Sequence, residues 1–209
     1  MAHNDPVTRH HQRVSQSSRP FSTAAVAASL AGLGLALAGC GGDDGADAKP
    51  TTPKFAKIPP GVAAKTVKAI DGDTLVVKID GKRETVRLLG IDAPESSKKK
   101  TGSKECGGTL ARGAMRQLVK RSPEVTVSVD PTQAERDEFG RMLAYVSSAD
   151  TKVANTWQGA LLGSGWAEVY EQTGKPIMLD EEFKRQAADA KAAGAGVHEV
   201  CGGDFHKAL

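Results

Sequence analysis

A chain of 209 residues that is 39% hydrophobic can bury one sizeable core and still carry a tail. Its 28 Lys and Arg against 25 Asp and Glu leave a net charge of +3, too even a balance to mark a nucleic-acid binder, so any attraction to phosphate must be local. Of five histidines only His198 and His206 stand beyond residue 11; a Ser-His-Asp or Cys-His nucleophile, a histidine base and a multi-histidine metal site are all short of material, and carboxylates must do the acid–base work.

The chain opens with a leader. Arg9, Arg13 and Arg19 precede an uncharged stretch from Ala24 to Ala38, rich in Ala, Leu and Gly, which closes as Leu37-Ala38-Gly39-Cys40. This has the shape of a secretory signal, and its end resembles a bacterial lipobox, where the cysteine is lipidated and the chain is cut just before it. An ordinary transmembrane anchor is the other reading, but a run of about fifteen apolar residues is short for a span. The expectation is that residues 1–39 are removed and that Cys40 carries lipid. The protein would then sit outside the cytoplasm, anchored to the cell membrane. Losing three Lys/Arg and one Asp/Glu leaves the remainder at +1. Residues 40–60, rich in Gly, Asp and Pro, read as a flexible linker. The acids between Asp43 and Asp47 lack the closing glutamate of a calcium loop.

A folded domain over 61–202 is expected next, with 203–209 as a tail. Val62 to Ile70 alternates roughly as a first strand. Thr74 to Ile79 is a second, Asp80-Gly81 a two-residue hairpin signal, and Glu84 to Leu89 the return strand. An antiparallel hairpin brings the start of its first strand beside the end of its second. Asp71 and Asp73 therefore meet Asp92 and Glu95, with Arg87 within reach. Several carboxylates beside one arginine make a poor core and a good place for a divalent cation and a phosphate. Calcium takes oxygen ligands, so Asp73 and Asp92 are the candidate metal ligands, with the Ala93 carbonyl as a third. Glu95 is placed to hold a water and act as general base. Arg87 suits charge growing on a phosphoryl oxygen, and Arg141 is placed to clamp it from the other side. Asp71 is expected to order the loop around Asp73.

After Glu95, the loop from Ser96 to Lys104 is small and basic. Lys98 and Lys99 meet a substrate backbone there or are simply solvated. Thr109 reads as an N-cap, Leu110, Ala114 and Leu118 as a buried helical face, and Arg121-Ser122-Pro123 as the stop. Glu124 to Val129 and Arg141 to Val146 are strands four and five. Asn155 is read as capping a helix through Leu162, and Asp180 as capping one from Glu181 to Ala193. Trp157 and Trp166 are read as core or helix-packing residues. In an exported chain, Cys106 and Cys201 are expected to pair as a disulfide; a zinc site with His198 and His206, or two free thiols, are the alternatives. Pattern alone gives a small barrel or α+β domain, mainly β, with five strands and about three helices.

Three stretches carry a more specific signal: Ala69 to Thr74, Val86 to Glu95, and Phe139 to Tyr145. In this order they resemble the staphylococcal nuclease (thermonuclease) family, as do the helix containing Ala160-Leu161-Leu162 and the segment Gly165 to Val169. The resemblance covers about residues 63–200. It implies an OB-fold five-stranded barrel and a calcium-dependent endonuclease that cuts DNA or RNA, acting as a monomer with nucleic acid as its partner. By position, it implies that Asp73 and Asp92 bind Ca2+, that Glu95 is the base, and that Arg87 and Arg141 bind and stabilise the phosphate. All five positions keep the family's residue type. Tyr170 stands near the place where family members present tyrosines to a bound nucleotide, although Glu171 and Gln172 follow it here. The alternative is an OB-fold lipoprotein that binds nucleic acid without cutting it, which would have no need of Glu95.

Overall fold

The computed structural model describes residues 57–97, 102–148, 156–170 and 176–209, all within the unit from Pro50 to Leu209. The leader 1–39, Cys40, the linker as far as residue 56, Lys98, Lys99 and Asn155 lie outside the described residues.

Three strands form a meander: β1 (Val62–Ala69), β2 (Thr74–Ile79) and β3 (Lys82–Leu88). The turn between β2 and β3 is the one its sequence dictates. Asp80 and Gly81 both take positive φ, 49° and 78°, which a type I′ hairpin requires and which Gly and Asp accept most readily. The register pairs Ile79 with Lys82 and Thr74 with Arg87, so the return strand starts two residues earlier than its apolar pattern alone suggested. A register shift between Thr66 and Lys68 marks a bulge in β1, and bulges increase local strand twist.

A two-residue strand, β4 (Ile91–Asp92), precedes α1 (Gly108–Arg121), which leads into β5 (Glu124–Val129) and β6 (Met142–Ser148). Five strands close as a barrel in the order β1-β2-β3-β6-β5. The β3–β6 pair is parallel and the other four pairs are antiparallel. This is the expected small barrel with a helix between its third and fourth long strands, as in an OB-fold. Leu75, Val77, Val86, Leu88, Val125 and Val146 fill it, and Ala111 and Met115 of α1 join the same core. Helix α2 (Trp157–Gly163) lays Trp157, Leu161 and Leu162 against it, and α3 (Asp180–Ala192) adds Phe183. Between these helices lies β7 (Glu168–Val169), which pairs antiparallel with β4. A short α4 (Val197–Val200) follows.

Several local expectations need correction. The N-cap of α1 is Gly107 at φ 80°, not Thr109, because Gly108 must pack directly on the Glu95 peptide, where a side chain would collide. The buried face of α1 is centred on Ala111 and Met115, with Leu118 partly buried, and Leu110 is exposed. That face is turned by one residue from the one read in sequence, since both rows have helical spacing. Thr156 caps α2 by accepting from the Gly159 amide at 3.0 Å. Leu179 precedes α3, and Asp180 is its first residue.

Buried polar groups lock the elements together. Gln158 is fully buried and bonds both ways to β6, donating to the Ala144 carbonyl and accepting from the Val146 amide. The Tyr145 hydroxyl donates to Asp130 at 2.6 Å, and the Met178 amide donates to the same carboxylate oxygen at 2.8 Å. Burial opposes ionisation of Asp130, but these bonds and those from Thr132 outweigh it and hold its pKa below the usual carboxylate value. Trp157 is buried, with its indole N–H donating to Ser148 at 3.3 Å, a core role.

Cys106 and Cys201 form a disulfide across 95 positions. Closing so long a loop stabilises a fold by about 2–5 kcal/mol. The bond takes up both cysteines of the zinc alternative, and His198 instead packs edge-on against Phe205.

Candidate active site

The hairpin register sets the site. Asp73 immediately precedes β2, and its carbonyl accepts from the Leu88 amide at 2.8 Å. The chain then turns at Gly90, whose φ is 79°. An added Cβ there would push the end of the Ile177 side chain aside, and the left-handed φ itself favours glycine. The turn sends Ile91 and Asp92 back over the end of the hairpin.

Arg87 closes this corner. Its guanidinium contacts Asp73 Oδ2 at 2.9 Å and Asp92 Oδ1 at 2.6 Å, and donates to the Ile91 carbonyl at 2.8 Å. Asp73 also accepts from the Thr74 hydroxyl at 2.8 Å and the Ala93 amide at 3.1 Å. Its side chain is only 4% exposed, against 27% for Asp92. Two carboxylates from opposite ends of a hairpin thus share one arginine. Burial raises the pKa of Asp92; Arg87 pulls it down, yet the neighbouring Asp73 charge pushes it back up, and the net shift is upward. The rise comes chiefly from taking Asp92 partly out of water, with Asp73 adding to it and Arg87 opposing both.

Two carboxylates against one guanidinium leave room for a further positive charge, and the donor set decides whether a cation fits. Among the described residues no three His, Cys, Asp or Glu side chains form a ready metal cage. The donor type is nonetheless that of a hard ion: two adjoining carboxylates, with backbone carbonyls and water available to complete the shell. The residues fit calcium by chemistry and charge.

Glu95 lies on the loop beyond β4, half-buried, and two carboxylates hold its peptide units. Glu105 Oε2 accepts from the Glu95 amide at 2.7 Å, and Asp71 Oδ1 accepts from the Ser96 amide at 3.3 Å. The Glu95 carbonyl in turn accepts from the Glu105 amide at 3.0 Å. Asp71 and Glu105 are 5% and 6% exposed. Asp71 also accepts from the Gly72 amide at 3.1 Å, in the loop around Asp73 that it was expected to order, and so ties that loop to the one carrying Glu95.

Arg141 enters from the far side of the parallel β3–β6 seam. A cleft of about 490 Å³ is lined by Arg87, Asp92, Arg141, Phe139 and Tyr170, among others. Asp137 fixes Arg141 twice, accepting from Nε at 2.6 Å and from its backbone amide at 2.9 Å. Burial acts to raise the Asp137 pKa, but the bonds from Arg141 outweigh it and the pKa is lowered. Tyr170 reaches the cleft because its amide donates to the Gly90 carbonyl at 3.0 Å, beyond the β4–β7 pair.

The structure thus brings Arg87, Asp73, Asp92 and the Ala93 amide into contact and places Arg141 and Tyr170 in the adjoining cleft. Sequence reasoning missed several neighbours. Phe139, 75% exposed in that cleft, has the Arg141 guanidinium 5.4 Å from its ring centre. Asp137 orients Arg141 four residues away, an i to i+4 spacing that was available in the sequence. Glu105, Glu168 and His206 gather beside Asp92 with no sequence signal, being dozens of residues apart.

Residues 85–199, more than half of the chain, match the family described as staphylococcal nuclease homologues. The chain is 31% identical to the thermonuclease of Staphylococcus intermedius over 120 residues, covering 57% of this chain and 68% of that protein. It is 35% identical to the thermonuclease of Staphylococcus hyicus over 82 residues, 39% of this chain and 46% of that protein. It is 36% identical to endonuclease YncB of Bacillus subtilis over 128 residues, 60% of this chain and 56% of that protein. The chain thus spans about half the length of the last two relatives. Asp73 lies before the matched segment, so its place rests on the hairpin register.

The Gly108–Glu95 contact yields a stability test. An alanine at Gly108 drives its Cβ into the Glu95 carbonyl, backbone that cannot yield, and denaturant unfolding is expected to show a loss of about 1–3 kcal/mol. At Gly113 in the same helix an added Cβ meets nothing within 4 Å, so Gly113→Ala is expected to gain up to ~1 kcal/mol. Equal effects at both positions would contradict the packing described.

Proposed function

The chain belongs to the family of staphylococcal nuclease homologues, and from that premise we propose that it is a calcium-dependent phosphodiesterase that hydrolyses DNA or RNA. The observation that supports this reading best is the shared cleft, in which Arg87 and Arg141 face the same space beside Asp92.

In this reading Asp73 and Asp92, with the Ala93 carbonyl, hold calcium, which when bound supplies Lewis-acid polarisation of a phosphoryl oxygen. Glu95, its peptide fixed by Glu105 and Asp71, takes a proton from a water poised to attack phosphorus in line. Arg87 and Arg141 reach the phosphoryl oxygens and stabilise the charge that grows on them. Asp137 keeps the Arg141 fork oriented for that task. Departure of the 5′-oxygen leaves a 3′-phosphate, as the family resemblance implies. Tyr170 borders the nucleotide, and the charges of Lys98 and Lys99 attract its backbone. The chain acts as a monomer outside the cytoplasm, tethered by lipid on Cys40.

Incubation of the full chain with single-stranded DNA and with RNA, in calcium and in chelator, tests the chemistry. Cleavage is expected in calcium alone, and Glu95→Gln is expected to lower kcat by about 10²–10⁴-fold. A mutant with the wild-type rate removes Glu95 as the base, and binding without cleavage in either condition favours a pure nucleic-acid binder. For the tether, Cys40→Ser is expected to move the protein from the membrane fraction to the soluble fraction; unchanged partition would exclude lipid at that cysteine.

A further inference from the structure

The end of the chain packs beside the site. The Cys106 amide donates to the Lys207 carbonyl at 2.7 Å, the Leu209 amide donates to the Lys104 carbonyl at 2.8 Å, and Glu105 forms a β-bridge with Ala208. With the Cys106–Cys201 disulfide, these contacts pin the last residues against the segment that carries Glu105. His206 is thereby placed among three carboxylates. Its Nδ1 lies 3.3 Å from Glu105 Oε1, and its Nε2 lies 3.0 Å from Glu168 Oε1 and 3.6 Å from Asp92 Oδ2.

The two oxygens of Glu105 have different tasks. Oε2 holds the Glu95 amide, and Oε1 faces the imidazole. Glu105 is 6% exposed, and a buried carboxylate that loses a partner is expensive to keep in place. A half-exposed ion pair contributes little to global stability, so the effect of the imidazole is local. It fixes the rotamer of Glu105, and through it the peptide of Glu95.

We propose that Glu105 and His206 are positioning residues for Glu95, a relay from the C-terminal segment that sets where the general base stands. This rests on the reading of Glu95 as the base. Neither residue touches the reacting atoms. The relay also explains why the chain spends a disulfide and a β-bridge on its last few residues: they hold His206 at a fixed distance from Glu105.

Amide hydrogen exchange by NMR on the full chain, beside steady-state cleavage kinetics, tests the relay. His206→Ala and Glu105→Ala are expected to speed exchange of the Glu95 amide by about tenfold or more while the amides of Val77 and Val146 in the barrel keep their protection. Turnover is expected to fall by about tenfold with KM within about twofold, the pattern of a misplaced base rather than lost binding. His206→Asn, which keeps a donor near the Nδ1 position, and Glu105→Gln, which keeps an acceptor for the Glu95 amide, are expected to recover turnover to within about threefold of wild type. Unchanged Glu95 exchange in both alanine variants overturns the proposal, as does a rise shared equally by the barrel amides. Should Glu105→Ala fail to fold, His206→Ala on its half-exposed side chain decides alone. If the wild type cuts nothing, the nuclease reading fails, and Glu95 exchange still decides whether the relay exists.

Discussion

Asp73 and Asp92 stand together because the hairpin leaves them no choice. The Thr74–Arg87 register sets the start of β2 against the end of β3, and the glycine turn at Gly90 folds Asp92 back over that end. Two partly desolvated negative charges then share one guanidinium. Like charges this close repel, and the upward shift of Asp92 has burial as its largest cause, with Asp73 adding to it and Arg87 opposing both. The rest of the site is arranged around that shared guanidinium. Arg87 is anchored to backbone at Ile91, Arg141 is oriented by Asp137, and the Glu95 loop is tied down nearby.

A second theme is the use of carboxylates as clamps on backbone amides. Asp71 holds Ser96, Glu105 holds Glu95, Asp130 holds Met178 and Asp137 holds Arg141. Two of them reinforce a backbone bond between the same residues, Glu105 amide to Glu95 carbonyl and Asp137 amide to Arg141 carbonyl, and charged acceptors make stronger bonds than neutral ones. These clamps let loops carry the chemistry of a barrel whose apolar interior is occupied by packing alone.

Much of this was legible in the sequence, for identifiable reasons. Asp80-Gly81 fixes a hairpin turn by backbone sterics, and alternation marks β2, β3 and β5. The convergence of Asp73, Arg87 and Asp92 follows from hairpin geometry, because the residues are local. What could not be read was long-range or finely rotational. The face of α1 turned by one residue because Leu110 and Ala111 both sit on plausible apolar rows, and only the Glu95 contact at Gly108 decides between them. The pair β4–β7 is two residues on each side, too short for any periodic signal. His206 and Glu105 are 101 positions apart, and nothing in either neighbourhood announces the other. Family resemblance supplied the barrel topology, which the five strand patterns alone left open.

The proposed chemistry requires that Asp73 and Asp92 form one cation site. Calcium titration of the full chain by calorimetry, with Asp73→Asn measured alongside, addresses this without any substrate. One saturable calcium site is predicted for the wild type, weakened by about tenfold or more in the variant, since a neutral amide loses most of its attraction for a hard dication. A wild type that binds no calcium, or a variant that binds it equally well, would contradict the account.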